Sequence, residues 1–132
     1  DSMDDEVQIL GGHPVLLCAD QGPQIASEAD AIDLIGGLWG RGVDWLVLPV
    51  SRLGPGFLRL RTGLAGAVIQ KFVTYSVRLA IVGDLSAAIA ESDALRDFVR
   101  ESNAGRHAWF VPDLAALEDR LMEPAEAFPL RP

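Results

Sequence analysis

The residues best suited to chemistry lie in the run Arg59-Leu60-Arg61-Thr62-Gly63-Leu64-Ala65-Gly66. A helix start leaves backbone N–H groups without intrahelical partners and carries the positive end of the helix dipole. A threonine hydroxyl and glycines that admit close approach, with Arg59 and Arg61 beside them, suit a phosphate or carboxylate. Gln70 and Lys71 extend the same polar stripe, and Arg52 joins Arg59, Arg61 and Lys71 in the densest basic cluster. Asp84 follows "AIVG" at the carboxyl end of an expected strand, where ligand sites of α/β sheets gather. A turn accounts for Asp84 equally well.

Other reactive residue types form no constellation. His13 and His107 are the only histidines, each near the start of an expected strand, and no G-x-S-x-G elbow accompanies them. Two separated histidines and the single Cys18, set in the apolar run "VLLCA", fall short of metal-ligand spacing. The segments "IVGD" and "GGLWGRG" contain glycine but match no dinucleotide fingerprint. No cofactor and no metal are therefore expected, and the reading leans away from an enzyme.

Advancing about 100° per residue from Gly63 separates the helix after Thr62 into two halves. Leu64, Ala65, Val68, Ile69, Phe72, Val73 and Tyr75 share one half, a core face. Gly63, Gly66, Ala67, Gln70, Lys71 and Thr74 share the other. A helix glycine costs roughly 0.5–1 kcal/mol against alanine, so glycines on the outer half need a reason. Capping by Thr62 with a loop lying over the glycines is one reason, and a surface that meets a partner or anion is the other.

The elements that must hold this run follow from period and punctuation. Two apolar runs around Gly11-Gly12 predict a β-hairpin, with Pro14 at the start of its second strand or on an edge. Ser27 with Asp30 predicts a capped helix through Ala31, Ile35, Leu38 and Trp39, ending near Gly40 or Gly42. "VDWLVLPV" and "SVRLAIVGD" read as central strands, nearly continuous in apolar character, and "HAWFVPD" as the last strand. Ser92 caps a helix with Leu95, Phe98 and Val99 inward. Asp113 caps a final helix with Leu114, Leu117 and Leu121 inward. Strand and helix alternate after the hairpin, which predicts a single-domain α/β fold with a mixed sheet packed by about four helices.

The chain has 132 residues, of which 49% are apolar and 23% charged, in keeping with one globular domain. Residues 1–3 read as a tag remnant, 4–122 as the domain and 123–132 as a proline-rich tail. The acidic residues after Met3 do not suit a signal peptide, and no apolar run approaches membrane length, so a cytoplasmic protein is expected. A net charge of −8 disfavours nucleic acid. The partners expected are an unknown protein or a small anion, and a homodimer through Trp45 or Trp109 is a further option.

"DLIG", "FLRLRTGLAGAVIQKFV", "RLAIVGD" and "LRDFVRESNAG" together resemble an uncharacterised bacterial family, domain of unknown function 4180, over about residues 7 to 121. More distantly, the order of elements is similar to the STAS domain of sulfate transporters and anti-sigma factor antagonists. That resemblance implies a STAS-like fold. In that family a Ser or Thr before Gly-Leu at a helix start is a phosphorylation switch in a partner-binding surface, and the matching positions are Thr62, Gly63 and Leu64. Arg61 stands where the family has an acidic residue, and "RLGPGFLRLR" is longer than the STAS connection. The reading is a regulatory or interaction module docking at Thr62–Gly66. The alternative is an anion binder or enzyme using Thr62, Arg61 and Asp84.

Overall fold

Leu10 and His13 are joined by Gly11-Gly12, whose φ angles of +57° and +87° are those of a two-residue hairpin turn. The computed structural model describes residues 6–19, 22, 24–38, 42–54 and 56–122, the side chain of Leu60 excepted. The expected tag remnant, the tail, Trp39 and Gly40 lie outside them. The hairpin strands are β1 (Glu6–Leu10) and β2 (His13–Leu17), and they pair antiparallel. β3 (Trp45–Pro49), β4 (Arg78–Val82) and β5 (Ala108–Val111) follow in parallel, giving a five-stranded mixed sheet in the order β1-β2-β3-β4-β5. Pro14 sits one residue before the register of β2 with β3 begins at Val15 and Trp45, so its missing donor breaks no ladder bond there.

Five helices pack on this sheet among the described residues: α1 (Glu28–Gly36), α2 (Leu64–Thr74), α3 (Ser86–Glu91), α4 (Asp93–Ala104) and α5 (Leu114–Leu121). The caps stand where expected. Asp30 accepts from the Ala26 and Ser27 N–H groups at 2.8 and 3.1 Å, Ser92 from Leu95 N–H at 3.1 Å, and Asp113 from Ala116 N–H at 2.8 Å. α1 stops at Gly36, short of the expected Gly40 or Gly42, because a second consecutive helical glycine at Gly37 would cost a continuing helix about a further 1 kcal/mol. α3 has no counterpart in the expected four helices. It is six residues long and buries none of them fully, too little for a periodic signal.

Strands laid in chain order with crossovers of one hand carry their helices on one face. Accordingly α1, α2 and α4 share one core with Leu16, Leu46, Leu48, Leu79, Ile81 and Phe110. α5 alone packs on the opposite face, through Leu117 and Leu121 against Val15, Trp45, Val47, Ala80, Trp109 and Val111. Trp45 on β3 and Trp109 on β5 lean together over β4, ring centroids 4.5 Å apart, where the small Ala80 stands beside Trp109, and the Arg78 guanidinium lies 5.8 Å from the Trp45 ring centroid. The Arg120 guanidinium lies 3.9 Å from the Trp109 ring. Trp45 and Trp109 are 1% and 5% exposed, so they are core residues and offer no face to the optional dimer through them.

Leu114, expected inward, is 41% exposed. Its turn of α5 lies at the rim of the sheet, beside a cleft lined by Leu17, Val47, Pro49 and Val82. Leu117→Ala should therefore destabilise the fold by about 2–5 kcal/mol in urea denaturation. Leu114→Ala, by contrast, should stay within about 0.5 kcal/mol of wild type.

Candidate functional site

The connection from β3 to α2 is built as an anchored platform. Val50–Arg52 and Leu60–Thr62 form single 3-10 turns, and between them Leu53 and Phe57 are buried in the main core. Leu53 also forms a parallel bridge with Ile25, through Ile25 N–H to Arg52 O at 2.7 Å and Gly54 N–H to Ile25 O at 3.0 Å. Position 54 must be glycine, since a Cβ there would stand 2.7 Å from the Ile25 carbonyl oxygen. The apolar anchors hold residues 58–62 at the carboxyl edge of the sheet, where the crossover into α2 begins.

Thr62 ties the end of that platform. Its Oγ1 lies 2.8 Å from the carbonyl oxygens of both Gly56 and Arg59, which share its single proton, and accepts from Leu64 N–H at 3.2 Å. The helix cap itself is Gly63, at φ +75°, a left-handed conformation that explains glycine there. Thr62 thus accepts from the first free N–H of α2, as expected, from one residue before the cap position and while clasping the preceding loop. Gly66 is exposed and a Cβ added to it would meet nothing within 4 Å among the described residues, none of which lies over that glycine.

Arg59, Arg61 and Thr62 line one groove of about 860 Å³, whose far wall is the junction of α3 and α4. Ala88, Glu91, Ser92, Ala94 and Leu95 form that wall, and Leu58 joins the near one. Thr62 is also the ridge of a second groove, about 450 Å³, shared with Ser27, Glu28, Gly63, Leu64 and Ala67 on the α1 side. The structure thus brings Arg59, Arg61 and Thr62 together and places Gly63 just over the ridge.

The other expected site residues go elsewhere. Lys71 Nζ lies 3.5 Å from the Glu28 carboxylate, toward α1. Gly66 and Gln70 are exposed on α2 but line neither groove. Arg52 leaves the expected basic cluster: it is buried, donates from Nη1 to Ala19 O at 2.9 Å and packs against Gly22. Asp84 lines neither groove and instead opens α3, its Oδ1 accepting from Ser86 N–H at 2.9 Å. The Ser86 side chain, and then its backbone N–H, hold the Asp84 carboxyl below the usual aspartate range. Ser92 is the expected cap of α4, and Glu91 is the last residue of α3. Their part in the groove depends on α3, for which the Asp84-Leu85-Ser86 turn was the one available signal.

Comparison with known proteins adds a family. The chain belongs to the family of the domain of unknown function DUF4180, which it matches over residues 10–121. No curated protein and no solved structure matches it. The DUF4180 match runs from the end of β1 to the end of α5, so both walls of the larger groove lie within it. Among the described residues, no group of three or more His, Cys, Asp or Glu is placed to hold a metal ion. No helix among them is long and apolar enough to cross a membrane.

Two measurements check this geometry. Thr62→Val should lower stability by about 0.5–1.5 kcal/mol in urea denaturation, with Thr62→Ser retaining most of the difference. Asp84 has a folded-state pKa below its unfolded one, so its contribution is fully present above the ordinary aspartate range and is lost as pH falls through the lowered value. The stability gap between wild type and Asp84→Asn should accordingly be widest near neutral pH and close below the ordinary range.

Proposed function

We propose that this domain is a regulatory or protein-interaction module, and that its docking surface is the groove between residues 58–62 and the α3–α4 junction. The observation that supports this most is the pairing of Arg59 and Arg61 with apolar Leu58, Ala88 and Leu95 in one open concavity of about 860 Å³. On a chain of net charge −8, two guanidiniums in one groove favour an acidic partner segment over a basic one. The apolar residues between them suit a leucine-like side chain on the same segment. Glu91 on the opposite wall disfavours a carboxylate near α3 and so gives the segment a direction.

The anchored loop supports the reading as well. Residues 58–62 are held by buried Leu53 and Phe57 and by the Thr62 clasp, so docking requires little ordering of the receptor. A small anion held by Arg59, Arg61 and the Thr62 region is a second reading, favoured by the two guanidiniums lining the same concavity. Phosphorylation of Thr62 would have to release its hydroxyl from the Gly56 and Arg59 carbonyls.

Selection of a random peptide library on the wild-type domain tests the first reading. Enriched peptides should combine acidic and large apolar residues. Their affinity should fall at least about tenfold on Arg59→Glu/Arg61→Glu, which amounts to about 1.4 kcal/mol. Enrichment of basic peptides, or binding indifferent to the double variant, would contradict it. A rise in melting temperature with phosphate or a dicarboxylate, lost in the same variant, would favour the anion instead.

A further inference from the structure

The two edges of the sheet are finished differently. At β5, the Asn103 side chain stands where another strand would: its amide donates to Phe110 O at 3.1 Å and accepts from Phe110 N–H at 2.7 Å. The Asn103 amide thus occupies both backbone groups of Phe110 on that edge. β1 has no such cover among the described residues. Glu6, Val7, Gln8 and Ile9 are all exposed, with Val7 at 45% and Ile9 at 64%. The strand holds no lysine, no proline and no bulge, the devices that ordinarily protect an edge from pairing.

Register decides which groups β1 offers. The pair flanking a two-residue hairpin turn exchanges both backbone hydrogen bonds, and bonded pairs then alternate along the ladder. Leu10 with His13, Gln8 with Val15 and Glu6 with Leu17 are therefore the bonded pairs of the hairpin. Val7 and Ile9 turn their N–H and C=O groups outward. Their side chains share a face as well: Val7 pairs with Leu16 and Ile9 with Pro14, on the side of the sheet where Leu16 joins the helix core. Neither Val7 nor Ile9 is covered by that core.

We propose that two copies of this chain pair antiparallel through β1, about a twofold axis at Gln8, and so join their sheets into one. The strand is complementary to itself in that register. Val7 stands opposite the partner's Ile9 and Ile9 opposite the partner's Val7, so all the outward amides of these residues are used. The four β-branched side chains meet on one face, a favourable cross-strand combination. Glu6 stands opposite the partner's Leu10, which keeps the two carboxylates at opposite ends of the seam. Gln8 meets the partner's Gln8 at the axis, two neutral amides that can bond to each other. A second copy is thus the occupant that β1 fits in hydrogen bonding, shape and charge alike.

Sedimentation equilibrium of the full chain, from micromolar to several hundred micromolar, tests the pairing. The average mass should rise toward twice that of the monomer. Ile9→Lys should hold the chain monomeric throughout, with a melting temperature equal to that of the wild type at dilutions where the wild type is itself monomeric, because Ile9 is exposed in the monomer. Under mild oxidation Gln8→Cys should cross-link to a dimer faster than Val7→Cys, because only position 8 meets itself across the axis. A chain that stays monomeric at every concentration overturns the proposal. So does a dimer that survives Ile9→Lys, or a Val7→Cys protein that cross-links as fast as Gln8→Cys.

Discussion

Parallel strands laid side by side in chain order must be joined by crossovers of one hand, and the layout of this domain follows from that constraint. With β2, β3, β4 and β5 in sequence, α1, α2 and α4 fall on one face, and every strand-to-helix loop opens at the same edge. The groove arises there because the β3–α2 and β4–α4 connections are neighbours, with α3 inserted into the second of them. The opposite face is left to α5, and Trp45 and Trp109 close over Ala80 beneath it. A bulkier residue than Ala80 would separate the two indoles, so a small side chain on β4 sets how well that second core packs.

The same constraint explains why the β3–α2 connection is a receptor surface and still firm. Its length brings it over the carboxyl edge, and Leu53 and Phe57 fasten it from below while Thr62 fastens it from the side. Arg59 and Arg61 project from a platform whose backbone is spoken for. Gly63 serves that platform with a left-handed cap, and Gly54 with a close approach to Ile25. Gly66 has no such backbone duty and leaves α2 bare where it is exposed.

Much of this was legible in the sequence because the signals are local. Gly11-Gly12, the caps at Ser27, Ser92 and Asp113, and the apolar runs of β3 and β4 each state their element within a few residues. The split of α2 into a buried and an exposed half was also legible, since Ala65, Val68 and Phe72 recur at helical period; Tyr75, expected on the core half, instead ends the helix and is exposed. What was hidden depends on tertiary contact. "RLGPGFLRLR" reads as loop, and nothing in it says that Phe57 is buried while Arg59 is not. Arg52 and Lys71 look like companions of Arg59 in the sequence, yet the fold buries one and turns the other toward Glu28. α3 escaped because six residues, only Ala88 and Ile89 of them half-buried and the rest exposed, carry too little periodicity, and with it went the far wall of the groove.

The central claim is that residues 58–62 and the α3–α4 junction form one recognition surface. Backbone amide NMR of the labelled domain, titrated with an acidic peptide containing leucine, tests it directly. The account predicts saturable shifts confined to Leu58–Thr62 and to Ala88–Leu95, absent in Arg59→Glu/Arg61→Glu. Shifts centred instead on the cleft beside Leu17, Val82 and Leu114, or none at all, would contradict it.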